Sequence, residues 1–330
     1  MKSSIPMLLA GLLAGLLASA LAQAAPVCPS RDFAMFFKAF AEDAQLQADF
    51  TVHTLVEQRL QAGPEGPQPV VRKLEPALRP DLSQLSSERV AANGLIREIA
   101  LPDRVYLRDQ RGEVLQAFIF EQADCWALAR VEDWSPSDAL KSVKTPDDAA
   151  PGVRALQRGD AYEQLGQGEI KPIDKQLFIA ALNSYLDAVD QGSAYAAYSA
   201  AAISLSGMAP RLSNQRLEQL LRLSSATVPE GALMLASFYC DEGQYRPDDN
   251  TCKHPQKALD ALRQSAAMGS GNAFNELGSV YARGEIVPAQ PARSLACYTE
   301  AVAHGADWAD FNAQEMIKRG ARADKDQPCL

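Results

Sequence analysis

Three histidines and six cysteines are the scarce reactive side chains of this 330-residue chain. General acid–base chemistry needs a proton donor and an acceptor facing one cavity, and Asp43 with His53 is the pair that invites that reading. His53 falls in the strand-like run Thr51 to Leu55, where a surface or hydrogen-bonded histidine is the simpler expectation. His254 lies between Lys253 and Pro255 at a helix start. His304 lies in the last turn of another helix, where a cation favours the dipole. No histidine has a second one at ligand spacing, so no metal site is expected. The sequence has no glycine-rich phosphate loop and no Ser/His/Asp constellation. We therefore expect no catalytic residue, no cofactor and no enzymatic activity. Cys28, Cys125, Cys240, Cys252, Cys297 and Cys329 are even in number, and whether they pair depends on the compartment.

The compartment is legible at the start of the chain. Lys2 precedes an apolar Leu/Ala-rich run, Met7 to Leu21, and Ala22-Gln23-Ala24 supplies the small residues of a cleavage site after Ala24. The run is about 15 residues, short of the roughly 20 that span a bilayer. Residues 1–24 read as a signal peptide, the mature protein as periplasmic without a membrane span, and the cysteines as disulfides. The formal net charge is −9. That balance argues against nucleic acid and against an anionic membrane surface. It could steer a basic partner, although keeping an exported protein soluble explains it as well.

Two regions must position these residues. Phe33, Phe36, Phe37 and Phe40 follow i, i+3, i+4, i+7, one apolar helix face, with Asp32 or Ser30 as N-cap. Strand-like runs follow at Arg104 to Leu107, Val114 to Glu121 and Cys125 to Val131. Gln110-Arg111-Gly112 and Gln122-Ala123-Asp124 turn between them. Residues 25–136 thus read as an N-terminal helix on an antiparallel meander, with the Pro/Gly-bearing stretch 61–98 unplaced. Residues 137–151, polar and proline-bearing, read as a linker.

Residues 152–330 repeat. Leu182, Tyr185, Ala188, Val189, Gly192 share their spacing with Leu259, Leu262, Ser265, Ala266, Gly269 and with Leu295, Tyr298, Ala301, Val302, Gly305. The first four positions of each set make a helix face, and the glycine suits a left-handed cap. A weaker copy starts at Leu217 and has Thr227 where the glycine should be. A second helix type runs from Ala232 to Gly243 and from Ala273 through Gly278 and Tyr281 to Gly284. A hairpin unit of roughly 40 residues cannot bury its faces alone, but stacked neighbours can.

On these residues the second region resembles Sel1-like repeats, relatives of the tetratricopeptide repeat. Asn272 to Gly305 is the best copy, although Arg293-Ser294 and Cys297 depart from the usual pattern. The first region resembles the NTF2-like cone, on Phe36, Phe37, Phe40, Asp43 to Gln47, and Trp126-Ala127-Leu128 with Asp133. The resemblances imply a fold class of an α+β NTF2-like domain followed by an all-α Sel1-like helical-hairpin solenoid with a C-terminal cap. Cys240 and Cys252 then flank the loop inside one repeat. Cys297 and Cys329 would pin the tail over the last repeat, and Cys28 and Cys125 would tie down the N-terminus. The resemblance implies a solenoid that binds another protein, in its sharpest form an immunity-type protein that silences a secreted effector in the bacterial envelope. The alternatives are an envelope adaptor or scaffold, and a small-ligand-binding or enzymatic NTF2-like domain.

Overall fold

The computed structural model describes residues 26–141, 150, 152–168, 173–244 and 251–330. The expected signal peptide and most of the expected linker lie outside the described residues.

Asp32 opens α1 (Phe33–Glu42), its carboxylate accepting the Met35 N–H at 2.9 Å. That satisfies one of the first-turn donors with no partner inside a helix. The four phenylalanines are buried along one face. Asp43 starts α2 (Ala44–Asp49) by accepting from the N–H groups of Gln45 and Leu46. There follow β1 (Thr51–Gly63), β2 (Gly66–Leu74), two short 3-10 turns, α3 (Ser87–Ala92), β3 (Ile96–Ala100), β4 (Arg104–Arg108), β5 (Leu115–Gln122) and β6 (Trp126–Asp133). They form one six-stranded sheet in the order β2-β1-β6-β5-β4-β3. β1 runs parallel to β6, and the remaining pairs are antiparallel. The meander expected over 104–131 is therefore part of a larger mixed sheet. β2 carries Pro67 and Pro69, which a sheet tolerates because β2 is an edge strand. Those prolines hid it in the sequence.

Both faces of the sheet are covered. Leu55, Val105, Leu107, Phe118, Phe120 and Leu128 pack with the phenylalanines of α1. Leu60, Tyr106, Leu115, Ala117 and Trp134 face the other way and join the core of the helical region. Val105, Tyr106 and Leu107 are consequently all buried, as in a strand sandwiched between two layers.

A short helix, α4 (Ser137–Leu140), leaves the sheet. The helical region then runs α5 (Val153–Gly166), α6 (Asp174–Asp190), α7 (Ala194–Leu205), α8 (Asn214–Ser225), α9 (Pro229–Asp241), α10 (Pro255–Ala267), α11 (Gly271–Arg283), α12 (Pro291–Ala303) and α13 (Ala309–Lys318). Each of these helices packs on the next, and α7 also touches α9 while α8 touches α10. The helices thus form hairpin repeats in two layers, odd-numbered and even-numbered.

The repeats close in one way. Gly192, Gly269 and Gly305 have φ of 98°, 91° and 84°. This left-handed conformation lets the next residue's N–H reach back into the helix, as in Ser193 to Ala188, Ser270 to Ser265 and Ala306 to Ala301. At Thr227 the chain turns instead through N–H bonds from Thr227 and Val228 to the Ser224 carbonyl, so no glycine is needed. Gly243 and Gly284 also have positive φ, 66° and 73°, at the ends of α9 and α11. Leu259, Tyr281, Leu295 and Tyr298 are buried in the array. Gly278 lies under the Tyr298 ring, where an added Cβ would come within 2.6 Å of the ring carbons. Gly159 stands in the same relation to Tyr185, so α5 and α6 form a first hairpin. Gly159 and Tyr162 match Gly278 and Tyr281 in spacing, the one sequence signal that marks α5 as the partner of α6.

Three disulfides are present: Cys28–Cys125, Cys240–Cys252 and Cys297–Cys329. They tie the segment before α1 to the start of β6, clip the loop between α9 and α10, and hold the C-terminal tail to α12.

Candidate functional site

The sheet docks on the first hairpin through a buried cation. Arg158 of α5, 6% exposed, donates to Asp187 Oδ2 at 2.7 Å, to the Arg111 carbonyl at 2.9 Å and to Ser184 Oγ at 3.2 Å. Glu113 lies 3.8 Å away. Gly112, in the turn between β4 and β5, approaches α6 so closely that a Cβ there would sit 2.6 Å from the Ala180 carbonyl oxygen. One continuous cluster of buried apolar side chains therefore runs from Leu60 and Leu115 in the sheet, through Leu177, Leu221 and Leu277, to Met316 and Cys329. The sheet is the N-terminal cap of the repeat array, and α13 with the disulfide-held tail is its C-terminal cap. A stacked array needs both, because each end would otherwise leave an apolar face in water.

The residues suited to catalysis do not converge. Asp43 is consumed in capping α2. His53 has an 81% exposed side chain, 3.5 Å from Glu75. The space between α1 and the sheet is occupied by Phe36, Phe37, Phe40, Phe118 and Phe120, each at most 1% exposed. His254 precedes the first turn of α10, its ring edge-on to Tyr239. His304 ends α12 and stacks on Phe274 at 4.9 Å. Among the described residues no group of three or more His, Cys, Asp or Glu could hold a metal ion, and no helix is long and apolar enough to cross a membrane.

The odd-numbered layer offers surface instead. A groove of about 1000 Å³ opens between α9 and α11. Ser237 and Asp241 line one wall, Glu276, Val280 and Arg283 the other, and Ala258 and Leu262 of α10 the floor. Cys240–Cys252 and Lys253 border it. Lys253 is tied to Glu242 at 2.6 Å and Arg283 to Glu285 at 3.5 Å. The stripe continues along the layer. On α9, Glu230, Met234, Ser237 and Asp241 share a face by i, i+4, i+7, i+11 spacing. On α7, Tyr195 is 51% exposed and its ring lies 5.9 Å from that of Tyr198. On α5, Asp160 and Glu163 accept from the Tyr185 hydroxyl at 3.0 and 2.7 Å. Burial, that bond to Glu163 and the nearby Asp160 charge push the Tyr185 phenol well above its ordinary range. Burial first, then Glu230, raises Tyr198 likewise.

An α+β domain fused end-on to a helical-hairpin array is thus the class of protein that the fold and its surface define. No protein-family model and no curated protein matches the sequence. Solved structures resemble it. A Sel1 repeat protein from Oxalobacter formigenes is 20% identical with a TM-score of 0.44, over 58% of this chain and 72% of its own. A protective antigen of uropathogenic Escherichia coli strains, displaying an SLR fold, is 15% identical with a TM-score of 0.38, over 58% of this chain and 44% of its own. An immunity protein from Pseudomonas aeruginosa is 16% identical with a TM-score of 0.25, over 52% of this chain and 72% of its own.

Proposed function

We propose that this is an exported protein-binding repeat protein whose odd-numbered helical layer receives a partner protein. The observation that carries the reading is the open groove between α9 and α11, which runs on along α9 as a stripe of exposed and half-buried side chains beside Tyr195 and Tyr198 of α7. The even-numbered helices and the two caps bury the apolar faces and leave that stripe free for a partner. The three disulfides fit an oxidising, extracytoplasmic compartment, which agrees with the leader read from residues 1–24. In its sharpest form the protein is of immunity type, occupying a secreted effector in the bacterial envelope. An envelope scaffold would use the same surface. On this reading the N-terminal domain is an NTF2-like cone filled by phenylalanine, and it serves as a cap rather than as an enzyme or a small-ligand receptor.

The test is affinity capture from envelope extract with the mature chain and with Ser237→Arg, which places a long side chain in the groove. The expected result is one species retained by the parent and lost by the variant. Equal retention by both would place the contact elsewhere, and retention of nothing would remove the protein-binding reading.

A further inference from the structure

Aromatic rings in the last two hairpins are already matched by cations of this chain. Lys257 Nζ lies 5.3 Å from the centre of the Tyr239 ring, and the Arg293 guanidinium lies 5.4 Å from that of Tyr281. Such pairs are attractive because the ring face carries negative potential. Tyr195 and Tyr198 on α7 have no such partner among the described residues, although Tyr195 is half exposed and α7 has no charged residue at all. Carboxylates flank the pair from the neighbouring helices of the same layer. Glu163 stands on α5 and Glu230 on α9, the helices before and after α7 in that layer, and both charges help to raise the Tyr198 hydroxyl. Glu230 is exposed and, like Glu163 and Asp160, has no ion-pair partner among the described residues. Further along, Asp241 and Glu276 line the groove. The basic residues on these helices are committed elsewhere: Arg158 to Asp187, Arg283 to Glu285, and Arg154 to the Leu140 carbonyl. The layer therefore presents two tyrosines between carboxylates that accept neutral hydrogen bonds, Glu163 from Gln167 and Tyr185, but have no cation partner among the described residues, complementary to lysine and arginine side chains in charge and in ring chemistry.

We propose that the occupant of this layer is a basic segment of the partner protein, with a lysine or arginine seated on Tyr195 and Tyr198 between Glu163 and Glu230. The proposal deepens the protein-binding reading and rests on it. It assigns the flanking carboxylates to orientation and the tyrosines to contact, and it predicts that association weakens with salt.

The test uses the full mature chain and a fluorescent hepta-arginine peptide, with a hepta-glutamate peptide as control, read by anisotropy at low and at physiological salt. Tyr195→Ala and Glu230→Gln should each weaken binding of the arginine peptide by about three- to fivefold. Asp260→Asn, at an exposed carboxylate on α10 in the other layer, should leave binding unchanged. Equal losses at Glu230 and Asp260, or no loss at Tyr195, would reduce the binding to diffuse charge and overturn the proposal. Absence of binding, or preference for the glutamate peptide, would also overturn it. The two readings fail separately. If envelope extract yields a species lost by Ser237→Arg but indifferent to Tyr195→Ala and Glu230→Gln, the protein-binding surface stands and the basic-segment assignment falls.

Discussion

At the scale of single residues, the array depends on small side chains beneath large ones. Gly278 leaves room for the Tyr298 ring, and Ser294 closes the same joint by donating to the Gly278 carbonyl at 2.8 Å. Gly278→Ala should destabilise the protein by about 1–3 kcal/mol, measured by chemical denaturation. In a Tyr298→Ala background the cost should largely vanish, and an unchanged cost there would refute the packing argument. Asp160 makes a second case. Partial burial holds its carboxyl above the ordinary range, the Tyr185 hydroxyl opposes that, and Glu163 adds to it. Between the ordinary aspartate value and the raised one, the native state keeps a proton that the unfolded chain has released. Stability due to this group is therefore full at low pH and falls as pH rises through the window. Asp160→Asn should raise the melting temperature at pH 7 and match the parent near pH 3.5, roughly the ordinary aspartate range. An equal gain at both values would show that charge is not the cause.

At the scale of elements, the joints matter more than the helices. Arg158 ties α5 to α6 and to the turn between β4 and β5, and replacing it leaves the carboxylate of Asp187, whose side chain is 13% exposed, with only Gln191 at 3.1 Å and Arg111 at 4.0 Å. Arg158→Met should cost about 3–5 kcal/mol by urea unfolding, whereas a surface pair such as Arg222–Glu218 should cost under about 1 kcal/mol. A near-neutral Arg158→Met would mean that apolar contact alone holds the sheet to the array. At the other end, Cys297–Cys329 spans 32 residues of sequence. Replacing both cysteines by serine should cost about 3–4 kcal/mol. Proteolysis should then reach the tail after Arg319 before any other site, and first cleavage within the repeats would contradict the tail's role as a cap.

Across the whole molecule, what could be read from the sequence followed the physics of each signal. The repeat was legible because Leu295, Tyr298, Ala301 and Gly305 answer one requirement three times over, a buried face ended by a left-handed turn. The α1 face was legible because four phenylalanines at helical spacing have one economical explanation. The sheet was only half legible, because β2 is an edge strand with two prolines and β3, the opposite edge, is five residues long and half exposed. The docking of sheet on array was not legible at all. It depends on Arg158, Asp187 and Gly112, which lie far apart in the chain and carry no local pattern. The proposed binding surface was hidden for a similar reason, since Tyr195, Glu230 and Glu276 come onto one layer only when the hairpins stack.

On the proposed function, the odd-numbered layer is the working surface of this protein. Site-specific photo-cross-linking in intact envelope extract tests it most directly, with the photoreactive residue placed at Ser237 on α9 or, for comparison, at Asp260 on α10. A single cross-linked partner from Ser237 and none from Asp260 is the expected result. The same partner from Asp260 alone, or from both positions equally, would contradict it.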